Sequence, residues 1–199
     1  MATQAGPDRP LRADARRNRD ALMQAAIGAF TQHGVDASLE DIARRAGVGI
    51  GTLYRHFPTR DALVEAAYRH GVEQLSARAT ELSATTDPET ALEKWMLSFV
   101  DYVATKRGLA AVLRSTADTH AELFAYVHGL LQSAIAALLD AAAATGAIRA
   151  DVNGTDLMRA LGGICMANSE TPQGQEQSRR LVALLMDGMR YGAVHRARS

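Results

Sequence analysis

Cysteine is almost missing from this chain, which has one, Cys165, in 199 residues. No intramolecular disulfide can form, and such usage fits a reducing cytoplasm. Cys165 also has no neighbouring Lys, Arg or second Cys in the sequence to activate its thiol. Aromatic residues are sparse, at 5%, and no stretch alternates apolar and polar residues as a half-buried strand does. Charge of one sign is not in excess, because 22 Lys and Arg balance 22 Asp and Glu. The molecule as a whole is therefore not a polycation. The first thirty residues lack the apolar core of a signal peptide. Gln132, Ser133 and Asp140 interrupt the longest apolar run, which leaves no expected membrane span and a soluble, cytoplasmic protein with no membrane partner.

Chemistry-bearing motifs are missing too. There is no phosphate-cradling glycine loop, no GxSxG elbow, no HExxH and no paired carboxylate with an evident role. Glu170, Asp118 and His120 could be assembled into a site on paper, but their spacing does not demand one. The six histidines form no ligand cluster. His120 and His128 are eight apart, where two helical metal ligands would be three or four apart, so neither a metal nor a cofactor is expected. An enzyme is the less favoured reading.

What the chain does have is helix. Alanine is abundant and apolar residues make up 47%, enough for a core. The tail through Pro10 reads as disordered, and residues 1–13 as a basic arm. Between Arg9 and Arg19, the residues Arg9, Arg12, Arg16, Arg17 and Arg19 face only Asp14, a common footprint for nucleic acid. A helix is expected from Asp14 to His33, with Leu22, Ala26, Ala29 and Phe30 inward and Gly34 as its stop. A long helix starts near Arg60, capped by Thr59. Asp87-Pro88 opens another, carrying Leu92, Trp95, Met96, Phe99 and Val103. Arg107 to Ser115 reads as a short separate helix. Thr119 and Glu122 form a capping box for a helix running to Thr145 and stopped by Gly146. Asn153 caps the next, and a final helix covers Gln175 to Ala193. The fold class is all-α.

Residues 38–61 carry the most functional information. Ser38 can cap a short helix, with Asp41 reaching back as in a capping box. Leu39, Ile42, Ala43 and Ala46 are its apolar stripe. Gly47 ends it, and Gly49 is a tolerable N-cap for a second short helix that Pro58 closes. Two short helices joined by such a turn form a helix-turn-helix, whose second helix can lie in the DNA major groove. That second helix, Ile50 to Phe57, has one apolar edge, Leu53 and Phe57. Its other positions are Ile50, Gly51, Thr52, Tyr54, Arg55 and His56. Hydroxyls and charges suit phosphates, and arginine can bond guanine through two hydrogen bonds. Gly51 costs helix stability, which makes sense if the backbone must approach a base pair closely.

Ala46-Gly-Val-Gly-Ile-Gly-Thr-Leu-Tyr-Arg-His-Phe57, followed by Thr59-Arg60-Asp61-Ala62-Leu63, resembles the signature of the TetR family of bacterial transcriptional regulators. The resemblance covers residues 14–70 in register; beyond residue 80 it is one of layout. It implies DNA contacts from Ser38, Gly49, Ile50, Gly51, Thr52, Tyr54, Arg55, His56 and Arg60. The family usually has Ser or Thr where this chain has Gly49, so Gly49 carries over only as a backbone contact. The implied organisation is a helix-turn-helix domain at 14–60, joined to a helical ligand-binding and dimerisation domain at 61–199.

Family members pair their last two helices across a two-fold axis. Here that implies a homodimer through Leu157, Leu161, Ile164, Leu181, Leu184, Leu185 and Met189, with Gly162 and Gly163 allowing close approach. A two-fold dimer would present both recognition helices to a palindromic double-stranded operator. The middle helices are expected to wall a pocket for a largely apolar small molecule with Trp95, Phe99, Tyr102, Phe124, His128 and Cys165; the alternative for each is plain core. The reading is a ligand-responsive regulator, most readily a repressor. An architectural DNA-binding protein that senses nothing is the alternative. The 120 or so residues beyond the DNA head argue against it, since DNA binding alone does not need them.

Overall fold

The computed structural model describes residues 8–115, 120–167 and 171–191. Among these there are eight α-helices, one 3-10 turn and no strand. The helices are α1 (Asp8–His33), α2 (Leu39–Arg45), α3 (Ile50–His56), α4 (Arg60–Thr85), α5 (Pro88–Ser115), α6 (Ala121–Ala144), α7 (Gly154–Ala167) and α8 (Pro172–Tyr191), with the 3-10 turn at Gly34–Asp36. The described residues sort into two compact units, one with residues 8–70 and 108–115, the other with residues 71–107, 120–167 and 171–191.

Several helix ends fall where the expected caps put them. The Thr59 hydroxyl accepts from the Ala62 N–H at 3.1 Å, and the Asp87 carboxylate from the Thr90 N–H at 2.9 Å. Asn153 Oδ1 accepts from the Thr155 and Asp156 N–H groups. Gly146, at φ 74°, ends α6 in the left-handed region that suits glycine.

Others fall elsewhere. Helix α1 starts at Asp8, not Asp14, so residues 8–13 are helical and not a disordered arm; residues 1–7 lie outside the described residues. Pro10 does not prevent this, because it sits in the first turn, where its missing N–H has no helical partner to lose. The separate helix expected at 107–115 is the continuation of α5. No proline intervenes, and Gly108 alone costs about 1 kcal/mol, too little to break a packed helix. Helix α8 begins at Pro172, three residues early, where the Thr171 hydroxyl accepts from the Gly174 N–H. Thr119 lies outside the described residues, and its capping box with it; the N-cap of α6 is His120, with no side-chain cap bond.

In the first unit α1, α2, α3 and the start of α4 bury Leu22, Met23, Ala26, Phe30, Ile42, Leu53, Phe57, Leu63 and Val64. In the second, α4 to α8 all contribute to one core. Trp95 is fully buried there, and its indole N–H donates to the Leu75 carbonyl at 2.8 Å. Helix α6, contrary to the reading of its polar interruptions, is long and apolar enough to cross a membrane by length and composition. Its apolar side, Ile135, Leu138, Leu139 and Ala142, packs into the second core. Arg190, at the end of α8, bonds Asp187 and reaches Glu89 and Glu93 on α5, and these partners hold its guanidinium above its ordinary pKa.

One close approach in the second unit requires glycine. A Cβ built on Gly71 of α4 would lie 2.7 Å from Tyr102 Cε2 on α5. The tyrosine ring thus rests on bare helix backbone. Gly71→Ala gains about 1 kcal/mol of helix propensity but must displace the ring, at roughly 1–3 kcal/mol. The expected result is a lower urea midpoint. A variant at least as stable as the parent would show that the ring yields freely.

Candidate DNA interface

The recognition element is built from weak local parts. Ser38 caps α2, with its Oγ accepting from the Asp41 N–H at 3.3 Å and donating to Glu40 Oε2 at 3.0 Å. The capping box is one-sided, because the Asp41 carboxylate turns to Arg44 Nη2 at 2.7 Å instead of returning to Ser38. That hydrogen bond and the charge of Arg44 hold the Asp41 carboxyl below its usual range. Glu40 is held low by its own backbone N–H and by Ser38. Gly47 turns the chain at φ 71°, and the Val48 N–H returns to the Ala43 carbonyl at 3.0 Å, closing α2. Gly49 is extended, at φ −74° and ψ 152°, and its carbonyl accepts from Thr52 and Leu53.

Helix α3 is held by two side chains, Leu53 and Phe57, both buried. The Arg19 guanidinium of α1 lies 5.4 Å from the Phe57 ring centroid, a cation–π contact over the end of α3. Opposite this anchor the helix is open. Gly51 and Arg55 are exposed, Tyr54 is 46% exposed, and Ile50, Thr52 and His56 are partly so. A Cβ at Gly51 would meet no atom within 4 Å, so no packing inside the chain demands glycine there.

The nine residues expected at DNA divide into two groups. Ile50, Gly51, Thr52, Tyr54, Arg55 and His56, with Gly49 before them, belong to α3 and its cap. Ser38 and Arg60 already hold protein partners: Arg60 Nη1 donates to the Ala37 carbonyl at 2.8 Å and braces the segment before α2. The sequence pattern puts Arg19 only in the basic arm; its place over Phe57 depends on tertiary packing that no local pattern carries.

The residues of the other expected sites are placed as follows. Trp95, Phe99 and Cys165 are buried in the second core, with the two rings 6.0 Å apart. Tyr102 is half-buried against that core and Gly71, Phe124 is half-buried, and His128 is exposed. The reason is helical phase. The inward face of α6 starts with Leu123 and Val127, which turns Phe124 and His128 one residue off it. At the expected dimer face, Leu157, Leu161 and Met189 belong to the protomer's own core. Ile164, Leu181 and Leu185 are half-buried, and Leu184 is 66% exposed. Met166, at 63%, and Tyr191, at 86%, are further exposed apolar residues. A recess of about 350 Å³ is lined by residues that include Ala160, Leu184, Leu185, Gly188 and the Arg149–Asp151 ion pair.

Comparison with known proteins agrees with both units. Residues 22–67 match the family model for bacterial regulatory proteins of the tetR family, and residues 87–191 that for the C-terminal domain of SbtR-like transcriptional regulators. A TetR transcriptional regulator from Streptomyces coelicolor superposes with a TM-score of 0.78 at 46% identity, covering 86% of this chain and 98% of that one. One from Mycobacterium vanbaalenii gives 0.76 at 34%, covering 91% and 99%. The HTH-type transcriptional repressor KstR2 of Mycolicibacterium smegmatis is 34% identical over 96 residues, 47% of this chain. The match spans 46% of that curated relative.

The caps make the head sensitive to acid. Asp41 has a lowered carboxyl pKa in the folded state, so its contribution is present above the unfolded pKa of about 4 and lost as pH falls through the lowered value. Asp41→Asn should melt below the parent near pH 6, and the gap should close as the buffer approaches pH 3. Thermal denaturation across that range checks it; a gap independent of pH would mean that the carboxylate charge contributes nothing.

Proposed function

The chain belongs to the TetR family of bacterial DNA-binding transcriptional regulators, and from that membership we propose that it is a ligand-responsive repressor. It would bind a palindromic operator as a homodimer in the cytoplasm and be released by a small, largely apolar molecule. The function is binding, not catalysis. The observation that carries the reading is the open side of α3, where Tyr54 and Arg55 are exposed beside a glycine whose missing side chain leaves empty space. In this reading Thr52, Tyr54 and His56 meet phosphates; Ile50, Gly51 and Arg55 face base edges; Gly49, Ser38 and Arg60 flank them.

The dimer contact we assign is the outer apolar stripe of α8, the half-buried Leu181 with the exposed Leu184, Gly188 and Tyr191, together with Ile164 of α7. The buried leucines of the first expectation are excluded because the protomer already uses them. A ligand acts only through a difference in affinity between two dimer conformations, one with recognition helices spaced for the operator and one without. Of the residues first expected to wall a chamber, the half-buried Tyr102 and Phe124 are the ones left to meet such a molecule.

The test begins with in vitro selection of a duplex from a random library by the full-length protein. Arg55→Ala should cost roughly 1–3 kcal/mol and relax preference at one base pair. Tyr54→Phe should weaken all sequences by about 1 kcal/mol. Retention of full affinity and specificity by both variants would refute the assignment of α3. Leu184→Glu should leave the protomer folded, since the site is exposed, yet give monomers by sedimentation and weaker binding to the selected duplex, because the dimer would bury an unpaired carboxylate. A wild-type monomer at micromolar concentration would remove the dimer from the reading.

A further inference from the structure

Helix α8 carries two apolar lines side by side. Its core line, Ser178, Val182, Met186 and Met189, is buried, and its outer line, Leu181, Leu184, Gly188 and Tyr191, lies about 100° to one side. Apolar burial is non-directional, so it does not by itself decide which of two adjacent lines turns inward. Two arginines stand on the other side of the core line. Arg179 and Arg190 are eleven positions apart, close to three full turns, which puts them within about 20° of each other around the helix. Both reach α5. Arg179 Nη2 donates to Asp101 Oδ1 at 2.8 Å. Arg190 donates to Glu89 and, at 3.3 Å, to Glu93, with a further bond to Asp187 of its own helix. The carboxylates on α5 run in the opposite order to the arginines, as two antiparallel helices require.

We propose that Arg179 and Arg190 are positioning residues for the dimer contact: their ties to α5 fix the rotation of α8 and so keep Leu184, Gly188 and Tyr191 turned outward. The inference rests on the dimer reading and adds to it what sets the contact. Helical phase carries it. A roll that brought the outer line into the core would swing both guanidiniums away from α5 and break both ties together. The side chains in these ties are about a third exposed or more, so each pair adds little to stability. What they supply is orientation. A guanidinium presents its donors in a rigid fork, and the two ties sit near the two ends of the outer line. They also make the contact sensitive to salt, which screens such pairs and does not weaken apolar burial.

The test measures dimerisation of the full-length protein by sedimentation. Arg179→Gln/Arg190→Gln removes both ties and keeps good helix formers. Its dimer dissociation constant should rise at least ~10-fold over the wild type, with each single variant in between. The helix content of the diluted, monomeric variant should match that of the wild type. Asp101→Arg/Arg179→Asp reverses one pair and should recover affinity that Arg179→Gln loses, which a mere loss of packing would not allow. Raising sodium chloride from about 0.05 to 0.5 M should weaken the wild-type dimer and leave the double variant nearly unchanged. Affinity for the selected duplex should fall with dimerisation, at unchanged base preference. A double variant that dimerises as tightly as the wild type overturns the ties, and so does a salt dependence that both share. Loss of helix content also overturns them, because the arginines would then support the protomer fold, as does a reversed pair no stronger than Arg179→Gln. A wild type that is monomeric at micromolar concentration removes the dimer reading and the ties with it; a dimer indifferent to the arginines removes the ties alone.

Discussion

Helix α3 has seven residues, about two turns, and a helix that short is not stable in water on its own. It exists here because Leu53 and Phe57 are inserted into the head and fully covered. The rest of the first unit is arranged around that insertion. Helix α1 supplies Leu22, Ala26 and Phe30, α2 supplies Ile42 and Ala43, and Arg19 closes the ring of Phe57 from above. With stability supplied by two side chains, the other positions of α3 are released from packing. A glycine can then stand at position 51 although it costs about 1 kcal/mol of helix propensity, and Tyr54 and Arg55 can stay in water. Sparse anchoring is what makes the outer side of the helix available for recognition.

The second unit solves the opposite problem. Five helices must share one core, and Trp95 is its centre: fully buried, with its N–H satisfied by the Leu75 carbonyl of a neighbouring helix. A tryptophan enclosed in this way is spent on packing. Phe99 beside it and Cys165 are buried in the same core, and for each of them the sequence pattern admitted both plain core and a chamber wall. Periodicity tells which side of a helix turns inward; it does not tell whether the inside is full or hollow. That distinction depends on the volumes of all facing side chains at once.

Legibility in the sequence followed the range of the interaction. Contacts between residues close in the chain were readable: the caps at Ser38, Thr59, Asp87 and Asn153, the stops at Gly47 and Gly146, and the edge formed by Leu53 and Phe57. The family signature within residues 46–63 made the helix-turn-helix and its class legible as well. Phase errors arose where two residues that could each be buried stand side by side. Leu123 and Phe124, like Val127 and His128, differ by about 100° around α6, and only the neighbouring helices choose between them. Boundaries failed where a nominal breaker is harmless in context, as with Pro10 in the first turn of α1. Arg19 on Phe57 was not legible, because 38 positions separate the two in the chain.

Helix α8 shows the same limit with a functional consequence. It carries two apolar stripes, not one. Ser178, Val182, Met186 and Met189 turn into the protomer, while Leu181, Leu184, Gly188 and Tyr191 form a second line about 100° away. Taken as one stripe, the helix mixes residues that belong to different partners, and Met189 then falls in with Leu184. A helix that merely completed one core would need a single stripe and would have polar residues opposite. Instead the second line places Leu184 and Tyr191, two of the most exposed large apolar residues among those described, on one side of the helix, with a glycine between them where another backbone could come close. Exposed apolar surface of this kind is costly in a monomer and ordinary in an assembly. The physical case for the proposed dimer therefore rests on the residues the protomer does not bury.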